Sequence, residues 1–337
     1  MTAWAVVGLD NGGSSNNATV LDADGNFLVD RLVETPSLVR EGPRIAVQAL
    51  VESLSNILEV TGVARDSIRA VGLDTPGPAS ADGVISSKGS TNFSEPEWRG
   101  FDVRTALEER IGIPVVYNND ANAAALYAHI AYFGAAAPNR SSVSMIVGTG
   151  LGGGVVEQGS IVRGAAGMAA ELGHIQIPLD GLLEPGQPTP SCNCGLTGDA
   201  ESFASLTGIE KNLLPYWLSR EPGHELEHVE PGLAAKLVRG YGERRDPLAR
   251  RIFEQQAIAL GRLCSIAANF TDPHAYFLGG GVVEAAPEFR DWFLETVAAN
   301  TTLREEQRKV ATFALVPHLD MAGARGSALA AAATLAG

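Results

Sequence analysis

Two stretches of the chain share one pattern of apolar and polar positions. In the first, Trp4 to Leu9 is an apolar run, and Asp10-Asn11-Gly12-Gly13-Ser14 interrupts it. Ala18 to Leu21 resumes it, Asp24-Gly25-Asn26 turns, and Phe27 to Val33 returns. In the second, Val143 to Val147 runs into glycines between Gly148 and Gly154, followed by Val155-Val156, the tight turn Gln158-Gly159 and Ile161-Val162. Apolar, β-branched runs of this length between turn residues predict buried strands. Strand, glycine-rich turn, strand, tight turn, strand therefore occurs at the head of each half, the mark of an internal duplication.

The rest of the pattern alternates helix and strand. Pro43 to Val60 carries apolar residues at helical spacing, Ile68 to Leu73 is a strand ending in the breakers Asp74-Thr75-Pro76-Gly77-Pro78, and Ser86 to Phe93 is a polar loop. A helix is predicted over Val103 to Ile111, a strand over Pro114 to Tyr117, and an Ala-rich helix to about Phe133 with Asp120 at its N-cap. Further on, Ile175-Gln176-Ile177 alternates as a strand and Glu201 to Leu206 reads as helical. Helices follow over Pro231 to Tyr241, Pro247 to Phe270 and Pro287 to Ala299. Strands at Ala275 to Leu278 and Ala311 to Val316 and a terminal helix from Ala324 complete the chain.

Composition narrows the class. With 337 residues, 45% hydrophobic and 19% charged, the chain is long enough for two domains, each with a core. A net charge of −14 argues against a nucleic-acid partner held through phosphates. No apolar run reaches membrane-span length, so no membrane partner is expected. Met1 lies too close to the first strand for a signal peptide, and three cysteines make no disulfide framework. A soluble, cytoplasmic protein is the expectation.

Consecutive free N–H groups in a glycine turn form an anion-binding nest, so both turns read as phosphate loops. Gly148, Gly150 and Gly153 nominally fit G-x-G-x-x-G, but they lead into Val-Val and a hairpin. A dinucleotide fingerprint needs a helix there, so that reading is rejected, and neither turn is a P-loop. A glycine-rich hairpin without a ligand is the plainer alternative for the second turn taken alone. Asp120 lies between the two turns at the end of a strand with two asparagines, which points past simple capping. Glu171 and His174 are neighbours if their segment is a helical turn. Cys192-Asn193-Cys194-Gly195 with His174 upstream is a metal signal, two buried thiols in a turn being the alternative. Gly279-Gly280-Gly281 marks a third point of close approach.

Taken in order, these residues resemble the ROK family of sugar kinases and sugar-responsive repressors. Asp10-Asn11-Gly12-Gly13-Ser14 is similar to its first phosphate motif and Asn119-Asp120-Ala121-Asn122-Ala123 to its catalytic motif. Gly148 to Gly154 is similar to the second phosphate motif, Glu171-Leu172-Gly173-His174 to the sugar motif, Cys192 to Gly198 to the zinc motif and Gly279 to Gly281 to the adenosine motif. The resemblance implies an α/β chain with a duplicated actin-like, hexokinase-type ATPase fold, two lobes around a central cleft. Residues 1–118 with about 320–337 would form the small lobe and 119–319 the large one.

It further implies an ATP-dependent kinase acting on the 6-hydroxyl of a hexose, glucose foremost, with Mg2+, a structural Zn2+ and a homodimer. Asp120 would be the base, and Asn92, Asn119, Asp120, Glu171, His174 and Glu201 would hold the sugar. Asp10 would organise hydrated magnesium. Gly12, Gly13, Ser14, Gly148, Thr149, Gly150, Gly152, Gly279, Gly280 and Gly281 would hold the nucleotide. Ser15 stands where the family often has Lys, and Asp199 where it has a third zinc cysteine. Zinc would then sit among His174, Cys192, Cys194 and Asp199. The rival reading has Asp199 capping a helix that contains Glu201, with two free thiols. Other acceptors (mannose, allose, fructose, an N-acetylhexosamine) and a sugar-sensing repressor remain alternatives, the last without a helix-turn-helix ahead of Trp4.

Overall fold

The computed structural model describes residues 4–77, 79–86 and 93–335. Asn92 lies outside them. The chain divides into two compact units: Met1–Pro138 with Gly159–Ala169 and Pro317–Gly337, and Asn139–Gln158 with Ala170–Val316.

The first unit is built from β1 (Ala5–Asn11), β2 (Ser15–Asp22), β3 (Val33–Pro36), α1 (Pro43–Thr61), β4 (Ile68–Thr75), α2 (Val103–Ile111), β5 (Val115–Asn119) and α3 (Asp120–Phe133). Its strands lie in the order β3-β2-β1-β4-β5, with β1 antiparallel to β2 and parallel to β4. The return strand is shorter than the pattern suggested: Phe27 makes only an isolated bridge to Leu21, and β3 begins at Val33.

The second unit contributes β6 (Ser142–Val147) and β7 (Leu151–Glu157), with the two-residue β8 (Ser160–Ile161) following in the chain. Short helix α4 (Leu206–Gly208) runs through a π turn into α5 (Leu214–Arg220). Helices α6 (Pro231–Glu243) and α7 (Pro247–Thr271), β9 (Ala275–Gly280), α8 (Pro287–Ala299), α9 (Glu305–Arg308) and β10 (Thr312–Leu315) complete it. The run β10-β9-β6-β7 repeats β5-β4-β1-β2 of the first sheet, down to the antiparallel hairpin and the two parallel neighbours. The duplication seen in the apolar pattern is therefore one of topology. The chain ends in α10 (Leu319–Ala333), which returns to the first unit and starts five residues earlier than Ala324.

Burial explains why β1 is continuously apolar rather than alternating. Val7 and Leu9 pack with Leu50, Leu54 and Ile57 of α1, while Val6 on the opposite face packs with Ala328 and Ala331 of α10. A strand covered on both faces has no polar side to show. Gly8 and Gly72 are register partners beneath α10. A Cβ on either would lie 1.9 Å from a carbonyl oxygen of α10, Ala324 O or Ser327 O. Helix α3 joins this unit, although a boundary at residue 118 would send it to the other. Gly326 of α10 meets it so closely that a Cβ there would sit 1.8 Å from the Ala123 carbonyl oxygen.

Two expected elements are absent. Ile175 to Ile177 forms only an isolated bridge, Gln176 to Asp199, and Glu201 to Ser205 is a series of turns. Both lie where the chain folds back on itself through hydrogen bonds such as Ala200 N–H to Ile175 O and Glu201 N–H to Gly173 O. Among the described residues no helix is long and apolar enough to cross a membrane.

Placing a methyl group at Gly72 forces α10 off the sheet. Gly72→Ala is expected to cost about 3 kcal/mol, at the upper end for overpacking. Urea denaturation measures it, and a loss below about 1 kcal/mol would contradict this packing.

Candidate active site

In the first unit the sheet delivers its polar residues at the C-terminal ends of parallel strands, where ligand crevices of α/β sheets open. At the end of β1, Asn11 Nδ2 donates to Asn16 Oδ1 (2.6 Å) and Asn17 Nδ2 to Asp10 Oδ2 (3.1 Å), tying the strand ends across the turn. The turn is closed by Gly12 N–H to Ser15 O (2.9 Å). Gly13 and Ser14 form its tip, and Ser14 is exposed.

Asp74 on β4 is the register partner of Asp10 and is fully buried. Its Oδ2 accepts from Ser327 Oγ at 2.7 Å, and its Oδ1 has no partner. Burial, and then the charges of Asp10 and Asp120, hold the Asp74 carboxyl well above the usual range. Burial also raises Asp10, against the hydrogen bond from Asn17. In the sequence Asp74 opens a breaker cluster and carries no motif. Its signal was a carboxylate ending an otherwise apolar strand.

The junction of β5 and α3 corrects one expectation. The N-cap is Asn119, whose Oδ1 accepts from the N–H groups of Ala121 (2.9 Å) and Asn122 (3.4 Å). Asp120 is the first helical residue, half-buried, with the Ala121 N–H bonded to its Oδ1 at 2.7 Å. Because Asn119 satisfies the helix end, the Asp120 carboxylate stands at the positive end of the helix dipole, which stabilises its charge.

In the second unit the glycine turn is shorter than the glycine run. Gly148 N–H donates to Gly150 O (2.9 Å), and β7 already starts at Leu151. Gly152, Gly153 and Gly154 are strand residues, and Gly153 is required by packing, since a Cβ there would lie 2.6 Å from Leu172. Gly148 and Thr149 line a cleft of about 330 Å3, with Leu206, Ile209 and Val282 as apolar walls and Gly281 opposite. Gly280, at φ 98°, ends β9 so close to β6 that a Cβ would meet Val147 O at 1.9 Å. Gly279 precedes it in the strand. Arg239 of α6 donates to Gly281 O (2.6 Å) and Glu284 (3.0 Å) at the cleft rim, a role the sequence did not signal.

Glu201 links this turn to the cysteine segment. Its Oε2 accepts the Leu151 N–H at 2.8 Å and its Oε1 the Cys192 thiol at 3.3 Å. Glu171 stands one residue before the 3₁₀ turn Leu172–His174. Desolvation and then Glu201 raise its carboxyl, while His174 pulls it down. His174, Cys192, Cys194 and Asp199 bring one ligand atom each to within 4.8 Å of one another. His174 Nδ1 lies 3.8 Å from Cys192 Sγ and 3.6 Å from Asp199 Oδ2, and Cys194 Sγ lies 3.5 Å from that oxygen.

Ligands about 2.0–2.3 Å from a tetrahedral zinc are spaced about 3.3–3.8 Å apart, so these three spacings and the chemistry of the four donors fit the ion. Asp199 divides its oxygens: Oδ1 accepts the Ser202 N–H (3.0 Å) within the turn, while Oδ2 faces Cys194 and His174. No helix contains Glu201. Burial, with the Asp199 and Glu201 carboxylates beside it, pushes the Cys192 thiol far up, a conflict that a divalent cation would remove.

A duplicated strand–turn–strand unit, with a phosphate-type turn in each half and helices on mixed sheets, defines the actin-like, hexokinase-type ATPase fold. Within that class the chain belongs to the ROK family, whose model matches residues 6–334. A glucokinase of Halalkalibacterium halodurans is 32% identical over 282 residues, 83% of this chain and 81% of the relative. The crystal structure of a ROK hexokinase from Thermus thermophilus matches with a TM-score of 0.76 at 32% identity, over 98% of this chain and 99% of that one. A ROK family glucokinase from Streptomyces griseus, solved with glucose and AMPPNP, matches with a TM-score of 0.70 at 26% identity, over 98% and 99%.

Asp74 generates a pH test. Its folded-state value is raised, so its contribution to stability is fully present below the unfolded value near 3.8 and is lost as pH rises through the folded one. Asp74→Asn is neutral throughout. It is expected to match the parent below about pH 3.5 and to exceed its stability increasingly toward about pH 7, by urea denaturation with chelator present. A difference that does not grow with pH would contradict the burial of this charge.

Proposed function

We propose that the protein is an ATP-dependent hexose kinase that phosphorylates the 6-hydroxyl, with glucose as the acceptor. The observation that carries this reading is the β5–α3 junction, where Asn119 takes the capping role and leaves the Asp120 carboxylate at the helix N-terminus. Membership of the ROK family, the glucokinase at 32% identity and the related structure with glucose and AMPPNP support acceptor and donor.

In this reading Asp120 accepts the proton of the 6-hydroxyl as its oxygen bonds to the γ-phosphorus and the bond to the β-phosphate oxygen breaks. Phosphoryl transfer passes through a loose transition state, so alignment and charge neutralisation outweigh base strength. A carboxylate suffices when the proton moves late. Asn92, Asn119, Glu171, His174 and Glu201 hold the sugar hydroxyls. The Gly12-Gly13-Ser14 turn and the Gly148–Gly152 segment take the phosphates through backbone N–H groups other than those of Gly12, Gly148 and Leu151, which are bonded within the chain, and Gly279 to Gly281 with the adjoining cleft take the adenosine.

The crowding of Asp10 and Asp74 suits a cation, and Asp10 would hold hydrated Mg2+, which neutralises phosphate charge when bound. His174, Cys192, Cys194 and Asp199 would hold zinc, which fixes the imidazole through Nδ1 and leaves Nε2 for the sugar. A homodimer and a cytoplasmic location belong to the same reading.

Asp120→Asn removes proton acceptance and little else. It is expected to lower kcat by about 10²- to 10⁴-fold while sugar Kd stays within about tenfold. Retention of more than about a tenth of the parent kcat in a coupled ADP-release assay would exclude Asp120 as the base.

Protein purified without chelator is expected to carry about one zinc per chain, and Asp199→Cys to hold it more tightly, since thiolate is the softer ligand. Elemental analysis and chelator competition measure both. Well under one zinc, with Cys192 and Cys194 freely titratable, would remove the metal from this reading.

A further inference from the structure

At the junction of β5 and α3 in the first unit lies a cavity of about 20 Å3, lined in part by Tyr117, Asn118, Asn119, Asn122, Arg163 and Gly167. That is room for a single water-sized group. Its walls are built. Arg163 donates to Asn118 Oδ1 at 3.0 Å and to the Tyr117 carbonyl at 3.4 Å, which orients the Asn118 amide. The Tyr117 hydroxyl is bonded to Thr75 Oγ1 at 2.7 Å, and the Ser80 hydroxyl accepts the Val84 N–H at 3.1 Å. Gly167, at φ 78°, presses so close to the Ala81 backbone that a Cβ would lie 2.4 Å from its nitrogen.

Two of the lining residues each carry an unpaired polar atom: Asn118 Nδ2, a donor, and Asn122 Oδ1, an acceptor. Their residues are only 5% and 6% exposed. Buried amide groups without partners are costly, and one free donor with one free acceptor on the lining residues matches a group that accepts one hydrogen bond and donates another. A hydroxyl is such a group.

We infer that this cavity is a hydroxyl subsite of the acceptor site, in which Asn118 Nδ2 donates to, and Asn122 Oδ1 accepts from, one ring hydroxyl of the hexose. The assignment rests on the hexose-kinase reading and sharpens it. Asp120 lies between these two asparagines in sequence, so the ring hydroxyl and the reacting 6-hydroxyl are held by one segment. Discrimination at the carbon bearing this ring hydroxyl arises because an analogue lacking the hydroxyl leaves both amides unpaired.

The test compares the preferred hexose with its monodeoxy analogues at carbons 1 to 4, in the parent, Asn122→Ala and Asn118→Asp. In the parent, one analogue is expected to lose about 10- to 100-fold in kcat/KM. Each variant is expected to reduce that one penalty to below about threefold while leaving the others in place, a pattern that general loss of structure does not produce. Where a variant no longer turns over, calorimetric sugar binding carries the same comparison. Phosphorylation with every deoxy penalty unchanged in both variants means the cavity holds a buried water only and overturns the subsite alone. Failure of every hexose as acceptor overturns the kinase reading, and the subsite with it.

Discussion

The first unit depends on the seating of a helix directly on backbone. Gly8 and Gly72 face each other in register, and α10 rests on them with its carbonyls where a Cβ would otherwise stand. Because α1 covers the other face, β1 and β4 are sealed on both sides and can show polar side chains only where they end. Asp10 and Asp74 are those ends. Ser327 of the same helix donates to Asp74, and Gly323 lies so close to Asp10 that a Cβ would sit 3.0 Å from its carboxyl carbon. The Ala- and Gly-rich composition of α10 is therefore a packing requirement, set by the same contact that positions the acidic pair.

Each unit gathers acidic side chains at one place. In the first, Asp10 and Asp120 both act on the buried Asp74. In the second, Asp199 and Glu201 crowd two thiols and an imidazole. Such clusters are unfavourable as they stand and are relieved by protons or cations. This is the physical basis for assigning magnesium near Asp10 and zinc near Asp199. It also gives a chain of net charge −14 a way to bind an anionic nucleotide, since backbone N–H groups and a metal ion would carry the positive potential.

The cysteine turn and the second glycine turn are mechanically one piece. Glu201 accepts from Leu151 with one oxygen and from Cys192 with the other, so the hairpin and the His174–Cys192–Cys194–Asp199 cluster share a carboxylate. Asp199 divides its oxygens in the same way between the Ser202 N–H and the cluster. A carboxylate offers two acceptors on one side chain, which lets a single residue do structural and ligand work together.

Periodicity determined much of this by itself. The duplicated strand–turn–strand pattern, the Val103–Ile111 and Pro287–Ala299 helices and the extent of α1 follow from local spacing and breakers, and the motif order placed the family. Local signals could not decide between neighbours that compete for one role. Asn119 rather than Asp120 caps α3, because the cap falls to whichever side chain the end of β5 delivers to the free N–H groups. Nor could they show that Gly152 to Gly154 belong to a strand, that residues 175–177 and 201–205 are held by long-range bonds rather than by elements of their own, or that Asp74 lies beside Asp10. Those facts come from register and packing between segments far apart in the chain, which a window of sequence does not contain.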